Sequence, residues 1–150
     1  MPSRRRHPSP GVFIFRGQAT IVFLTVCTER RSRWLADPVV ERDLIESWQT
    51  GTAWIVGRYV LMPDHLHLIC SPTEGSVELE AWVTFWKRQF RRIHANPVRR
   101  FQAGGFHHRL RQEESYNQRW DYVLENPVRA GLVKSAGEWP FAGVLNELRW

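Results

Sequence analysis

The chain has 150 residues, of which 43% are hydrophobic, and this length and composition suit one folded domain and argue against a disordered chain. Its 21 Lys and Arg against 15 Asp and Glu give a formal net charge of +6, which favours a polyanionic partner, with nucleic acid ahead of an anionic membrane surface. Because no apolar run of about 18 residues and no signal-peptide pattern is present, we expect a soluble, cytoplasmic protein with no membrane partner.

The N-terminal segment is basic and rich in proline. Arg4, Arg5 and Arg6 follow one another directly and are flanked by prolines at positions 2 and 8. Such a segment is expected to be a flexible arm, residues 1–16, until it meets phosphate. Residues 17–150 are then expected to form a single domain.

The first half of this domain alternates between strand and helix patterns. Residues 19–27 are rich in β-branched and aromatic side chains, which predicts a central strand. Asp37 and Pro38 suit the start of a helix that the apolar spacing extends to about residue 49. Two further strands, 52–61 and 65–71, are joined by a proline-containing turn and are expected to pair in the antiparallel sense.

The second half is predicted to contain two more helices. One starts at Ser76, and the other runs over about 113–125 and ends there because the residue before Pro127 avoids the helical conformation. Between them, residues 106–110 follow a glycine turn and are a candidate strand. The whole order predicts an α+β sandwich in which helices pack on a mainly antiparallel sheet.

Two histidines occupy alternate positions of the strand predicted at 65–71. Successive side chains of a strand point to opposite faces, so His65 and His67 share one face while Leu66 and Leu68 line the other. Two imidazoles side by side on a rigid strand can bind one divalent metal ion. The alternative is a histidine pair on a solvated sheet face.

The helix that starts at Ser76 carries a basic side opposite its apolar stripe, formed by Lys87, Arg88, Arg91 and Arg92. The planar guanidinium fork matches phosphate oxygens, so this side is a candidate contact for a nucleic-acid backbone. An ordinary solvated helix face is the alternative. Aromatic side chains that the core leaves exposed could add stacking on unpaired bases.

Tyr122 is the candidate nucleophile. It is expected near the boundary of the buried face of the last helix, and Asn126, four residues on, rises on the same side. A phenol can form a covalent intermediate, but with an ordinary pKa of about 10 it is a weak nucleophile at neutral pH unless a metal polarises the phosphodiester. The alternative is that Tyr122 only packs.

Two segments of the chain resemble the HUH single-strand DNA transposases. His65-Leu66-His67 is similar to their histidine–hydrophobe–histidine signature. Residues 121–133 are similar to the tyrosine helix of the REP-associated tyrosine transposases, domesticated bacterial relatives of the insertion-sequence transposases. The likeness runs from about residue 17 to about residue 141.

This resemblance implies a ferredoxin-like α+β fold and a magnesium- or manganese-dependent endonuclease and strand transferase that acts on single-stranded or hairpin DNA, as a monomer or homodimer associated with the bacterial nucleoid. It implies that His65 and His67 bind the metal, that Tyr122 forms a 5′-phosphotyrosine link, and that Asn126 matches a third, amide ligand. The expected DNA contacts are Arg4, Arg5, Arg6, Lys87, Arg88, Arg91, Arg92 and Arg129.

One segment departs from the pattern of these relatives. An acidic residue is common near the position of His107 and His108, and this chain has none there. Apart from this departure, two other functions stay open. One is a non-catalytic module that binds hairpin DNA or RNA and retains the fold, and the other is a metal-dependent phosphodiesterase that uses water.

Overall fold

The computed structural model describes residues 20–73, 77–110 and 113–148, with only the backbone described at 113–115. The predicted basic arm, with Arg4, Arg5 and Arg6, lies outside the described residues, as does the predicted helix start at Ser76. None of the described helices has the length and apolar character that a membrane crossing needs.

Five strands and four helices are described, in the order β1 (Ile21–Cys27), α1 (Pro38–Thr50), β2 (Trp54–Leu61), β3 (His65–Pro72), α2 (Leu79–His94), β4 (Phe106–Leu110), α3 (Glu113–Leu124), α4 (Asn126–Arg129) and β5 (Ala142–Val144). The predicted elements are confirmed, including the candidate strand β4. The two elements that the sequence pattern does not predict, α4 and β5, have only 4 and 3 residues and are too short to show a periodicity.

The strands form one sheet in the order β4-β1-β3-β2-β5, and every neighbouring pair is antiparallel. The first six large elements follow the β-α-β-β-α-β sequence of a ferredoxin-like fold, to which β5 adds an edge strand. The predicted α+β sandwich is therefore confirmed. β3 is its central strand.

The two faces of the sheet carry different helices. One hydrophobic cluster joins alternate residues of β1 and β3, among them Leu66 and Leu68, to α1 and α2. The other joins Phe23 and Ile69 to Trp120 and other residues of α3. Because the side chains of β3 alternate, its two histidines lie on the face that α3 covers. We call this side of the sheet the histidine face.

The predicted N-terminal cap of α1 is confirmed, whereas the chain after α3 does not leave the helical conformation as predicted. The Asp37 carboxylate accepts hydrogen bonds from the backbone N–H groups of Val39 and Val40, at 2.8 and 3.1 Å. α3 ends at Leu124, close to the predicted end, but the chain turns at once into α4. Pro127 lies in the first turn of α4, where its missing N–H leaves no hydrogen bond unmade.

Candidate active site on the histidine face

The two imidazoles of β3 are close together and each is fixed through its Nδ1 atom. The ring centroids of His65 and His67 are 4.9 Å apart, with the planes at 80°. Nδ1 of His65 lies 2.7 Å from the Asp64 carboxylate, and Nδ1 of His67 lies 2.8 Å from the Thr25 hydroxyl. When Nδ1–H donates to such a partner, the lone pair is on Nε2, the usual arrangement of a metal-binding histidine. These donors suit a divalent cation.

Asp64 is itself held in place by Thr28, the residue that follows β1, and by Arg31 of the 3-10 turn at Glu29–Arg31. The Arg31 guanidinium lies 3.1 Å from the Asp64 carboxylate, and the Thr28 N–H donates to the Asp64 carbonyl at 3.0 Å. Burial opposes ionisation of Asp64, but the hydrogen bond and charge of His65, together with Arg31, hold its pKa below the ordinary value. The carboxylate therefore stays charged and orients the His65 ring.

The turn that carries Arg31 is strained. Arg30 and Arg31 both adopt the left-handed backbone conformation, with φ of 60° and 54°. For residues other than glycine this costs on the order of 1–3 kcal/mol each, and such outliers cluster at functional sites. Nothing in the sequence pattern points to Arg31, because it lies outside every periodic segment.

His67 is predominantly neutral at physiological pH. Burial is the main cause that lowers its pKa, to about 3, and the charges of His65, Arg119 and Arg129 act in the same direction. A metal-binding imidazole must be neutral. His67 therefore needs to release no proton when a cation binds near neutral pH.

We expect this lowered pKa to make the stability of the protein depend on pH. Between about pH 6.5, the ordinary value for histidine, and about pH 3, the unfolded chain binds a proton at His67 that the folded chain does not. The free energy of unfolding should therefore rise with pH across this window, by an amount on the order of a few kcal/mol. Urea unfolding between pH 4 and 7 measures it. His67→Asn should flatten the rise, and an unchanged pH profile in that variant would contradict the assignment.

Tyr122 lies on the exposed side of α3. Its side chain is 66% exposed, so it points to solvent and does not pack at the boundary of the buried face as the sequence pattern predicts. The Arg129 guanidinium lies 3.7 Å from the centroid of the Tyr122 ring and donates to the Tyr122 carbonyl at 2.7 Å. Arg129 therefore fixes the ring and the end of its helix together.

Arg129, which stacks on the Tyr122 ring, also acts on the pKa of His67 through its positive charge. Its charge is one of those that lower the pKa of His67. Among the described side chains, Tyr122 makes no hydrogen bond or ring contact with His65 or His67. The prediction that the Tyr122 phenol and the two imidazoles share one phosphate thus stays a prediction. The Arg129 guanidinium contacts the Tyr122 ring and its charge lowers the pKa of His67.

Asn126 lies at the start of α4 and is half-buried, with its Oδ1 accepting a hydrogen bond from Arg129. A carboxamide oxygen has two lone pairs, so one remains for a further partner. No cluster of three or more His, Cys, Asp and Glu able to hold a metal occurs within the described ranges. Asn126 remains the predicted third ligand, and its role stays a prediction.

Two more residues of this face, Arg119 and Phe23, were not predicted as site residues. The Arg119 guanidinium lies 5.2 Å from the Phe23 ring centroid, and that ring stands 5.4 Å from His67 and 5.5 Å from His108. Arg119 precedes Tyr122 by three residues, which places both on one side of α3 and is a signal that the sequence offers. His108 therefore lies on the histidine face, but Phe23 separates it from His67.

The basic side of α2 borders two grooves. Arg88 and Arg91 line both: one groove, of about 410 Å³, also contains Arg100, and the other, of about 400 Å³, contains Arg92. Lys87 differs from its arginine neighbours, because its ammonium donates to the carbonyls of residues 102 and 104, at 2.7 and 2.5 Å, and burial lowers its pKa to about 8. The Lys87 ammonium therefore holds the loop of residues 102–104. We call the larger cavity the arginine groove.

The arginine groove ends at the 3-10 turn that also carries the partner of Asp64. Glu29, which lines it, stands two residues before Arg31, the partner of Asp64. The N–H of Glu29 also donates to the carbonyl of Arg100 at 2.8 Å. The 3-10 turn at Glu29–Arg31 therefore separates the arginine groove from the imidazole pair.

Comparison with known proteins finds REP-associated tyrosine transposases among the relatives of this chain. The chain is 31% identical over 88 residues to the REP-associated tyrosine transposase of Escherichia coli strain K12, a match that covers 58% of this chain and 52% of that protein. It is 24% identical over 145 residues to a candidate REP-associated tyrosine transposase of Haemophilus influenzae, covering 85% of this chain and 80% of that protein. The chain thus spans about half the length of the first relative. No family model matches the chain.

Two solved structures of transposases resemble the fold of this chain. A REP-associated tyrosine transposase bound to a REP hairpin superposes with a TM-score of 0.70 at 26% identity, covering 95% of this chain and 82% of that one. The crystal structure of a candidate transposase from Deinococcus radiodurans, with a TM-score of 0.54 at 20% identity, covers 75% of this chain and 95% of that one and supports the fold alone. The resemblance predicted from the two motifs is confirmed.

Proposed function

We propose that this chain, a relative of the REP-associated tyrosine transposases, is a metal-dependent single-strand DNA endonuclease and strand transferase that acts on hairpin DNA through Tyr122. The observation that carries the proposal is the oriented imidazole pair of His65 and His67 on the sheet face that the tyrosine helix covers. A hairpin is the ligand of the structural neighbour, and the net charge of +6 suits such a partner here.

The proposed reaction is a transesterification. The Tyr122 phenol oxygen attacks a backbone phosphorus, a bond to the 5′ phosphate forms, and the bond to the 3′ oxygen breaks. The phenol proton ends on the released 3′ hydroxyl, and the reverse reaction with another 3′ hydroxyl joins strands without an external energy source. Magnesium or manganese bound by His65 and His67, with Asn126 as third ligand, would polarise the phosphodiester and offset its growing charge.

Arg129 has a positioning role in this proposal. It orients the Tyr122 ring by stacking and holds Asn126 by a hydrogen bond, so that nucleophile and amide ligand are fixed by one side chain. The same guanidinium is exposed and can also contact phosphate. Arg119, on the same side of α3, adds a second positive charge near the place where the phosphate would bind.

The direct test is detection of the covalent intermediate. A hairpin oligonucleotide with a single-stranded flank and a label at its 3′ end is incubated with the protein and Mg²⁺ or Mn²⁺. The labelled strand should then run with the protein on a denaturing gel, since its 5′ phosphate is bound to Tyr122. Hairpin binding without any adduct would favour the non-catalytic module, and cleavage without any adduct would favour the phosphodiesterase that uses water.

The arginine groove provides a separate prediction about DNA affinity. Each arginine that neutralises a phosphate releases a counterion, so the logarithm of the affinity should fall linearly with the logarithm of the salt concentration. Arg88→Ala and Arg91→Ala should each reduce the slope by about one. Fluorescence anisotropy across a salt series measures it. Lys134→Ala, which removes an exposed cation between α4 and the turn at Ala136–Glu138, should leave the slope unchanged.

A flat salt response of the wild-type protein would contradict a nucleic-acid partner altogether. Equal slopes for the wild type and both arginine variants would move the phosphate contacts away from the arginine groove. In that case the basic side of α2 would be an ordinary solvated face.

A further inference from the structure

An aromatic side chain next to the proposed site is exposed. Among the described residues, the exposed aromatic side chains are Tyr122, at 66%, and Phe106, at 76%. The role of the first is proposed above. A phenylalanine gains about 1.5–3 kcal/mol from burial, so one left in water at a functional face is a candidate contact for a ligand.

The sheet register places Phe106 on the histidine face. Phe106 of β4 is opposite Thr25 of β1, and Thr25 is opposite His67 of β3. Residues directly opposite in antiparallel strands point to the same face, and Thr25 bonds to the His67 ring on that face. Because neighbouring strands lie about 5 Å apart, Phe106 stands roughly 10 Å from His67 across the sheet.

The loop before Phe106 is fixed and connects it to the arginine groove. Gly104 lines that groove, and its carbonyl accepts a hydrogen bond from the Lys87 ammonium. At Gly105 an added Cβ would lie 3.0 Å from the Thr25 carbonyl, so the backbone here packs closely on β1. Phe106 therefore follows, within two residues, a groove lined by arginines.

We propose that Phe106 is the stacking platform for one unpaired base of the DNA strand that is cut. The inference rests on the proposed function and adds the part of the substrate that this face recognises. The arginine groove lies on the α2 side of the sheet, so a DNA strand with one phosphate in this groove and another at the imidazole pair would pass around the β4 edge, where Phe106 lies. Every base offers an aromatic face, so the contact selects single-stranded DNA over duplex but does not select a sequence.

The test uses the Tyr122→Phe protein, so that binding is measured without cleavage. Phe106→Ala and Phe106→Leu are each added to this parent protein, and both should bind a hairpin with a single-stranded flank roughly 10- to 100-fold more weakly than the parent does. Stacking of a base on an aromatic ring contributes about that factor to affinity. Phe106→Trp should bind as well as the parent protein. Val144→Ala, which shortens an exposed side chain on the opposite edge strand, is the matched control and should have no effect.

The base that stacks is then located with abasic sites placed one at a time along the flank. At one position the abasic site should weaken binding to the parent protein and have no further effect on the Phe106→Ala protein. Additive losses at every position would overturn the proposal, as would unchanged binding of the Phe106→Ala protein. A lower molecular mass of the free Phe106→Ala protein in sedimentation would overturn it in favour of a contact between two copies. If the parent protein binds no hairpin at all, the proposed function itself fails.

Discussion

The protein with Tyr122 replaced by phenylalanine is expected to bind hairpin DNA normally and to form no covalent adduct. The substitution removes only the phenol oxygen, the atom proposed to bond to phosphorus, and leaves the ring under the Arg129 guanidinium. Loss of a nucleophile lowers the rate by roughly a thousandfold or more. Cleavage of a labelled hairpin, adduct formation on a denaturing gel and binding by anisotropy are measured on the same samples.

Tyr116→Phe is the matched control for this experiment. It makes the same chemical change six residues earlier on α3, where Tyr116 packs at the second hydrophobic cluster. Its adduct yield should equal that of the wild type. Undiminished cleavage by the Tyr122→Phe protein would assign the reaction to a water nucleophile, and equal loss in both variants would point to damage of α3.

Replacing His65 or His67 with alanine is expected to remove divalent-metal binding and, with it, cleavage. Each substitution deletes an Nε2 donor whose ring is held by a partner at 2.7 or 2.8 Å. Loss of even an outer partner of a metal ligand weakens affinity by about 10- to 100-fold, so loss of a ligand should cost more. Mn²⁺ titration followed by electron paramagnetic resonance measures binding independently of activity.

His107→Ala is the control for this pair of variants. His107 lies on β4, two strands away from β3, and opposite Leu24, whose side chain belongs to the cluster on the α1 and α2 face. It should therefore bind Mn²⁺ like the wild type. Circular dichroism separates loss of the site from loss of the fold, since His67 packs on Phe23. Unchanged Mn²⁺ affinity in both histidine variants would exclude this pair as the metal site.

The sequence predicts most of the fold because its signals are local and repeated. The alternation in β3, the Asp37 cap and the apolar stripe of α2 each determine one element, and the order of elements leads to the α+β sandwich. The short α4 and β5 were not predicted, because four or three residues cannot show a period and because β5 forms only by pairing with β2. Pairing partners far apart in the chain leave no local pattern.

The candidate site was predicted only in part for the same reason. His65 and His67 follow from strand alternation, but Thr25 and Arg31, which hold Nδ1 of His67 and the Asp64 carboxylate, come from distant segments. Phe106 gives no signal in the sequence either, since a phenylalanine at the start of a strand usually enters a core. Its exposure depends on the position of β4 at the edge of the sheet.

The central position of β3 determines which parts of the protein open first. This strand is hydrogen-bonded on both sides, to β1 and to β2, whereas β4 and β5 each have one neighbour in the sheet. Local opening starts where a strand has the fewest neighbours, and the most protected segments open only when the whole domain unfolds. Transient release of β4 would free Phe106 while the imidazoles stay anchored. We therefore infer that Phe106, the proposed base-stacking residue, lies in the part of this face that opens most readily, and that the histidine pair lies in the part that opens least.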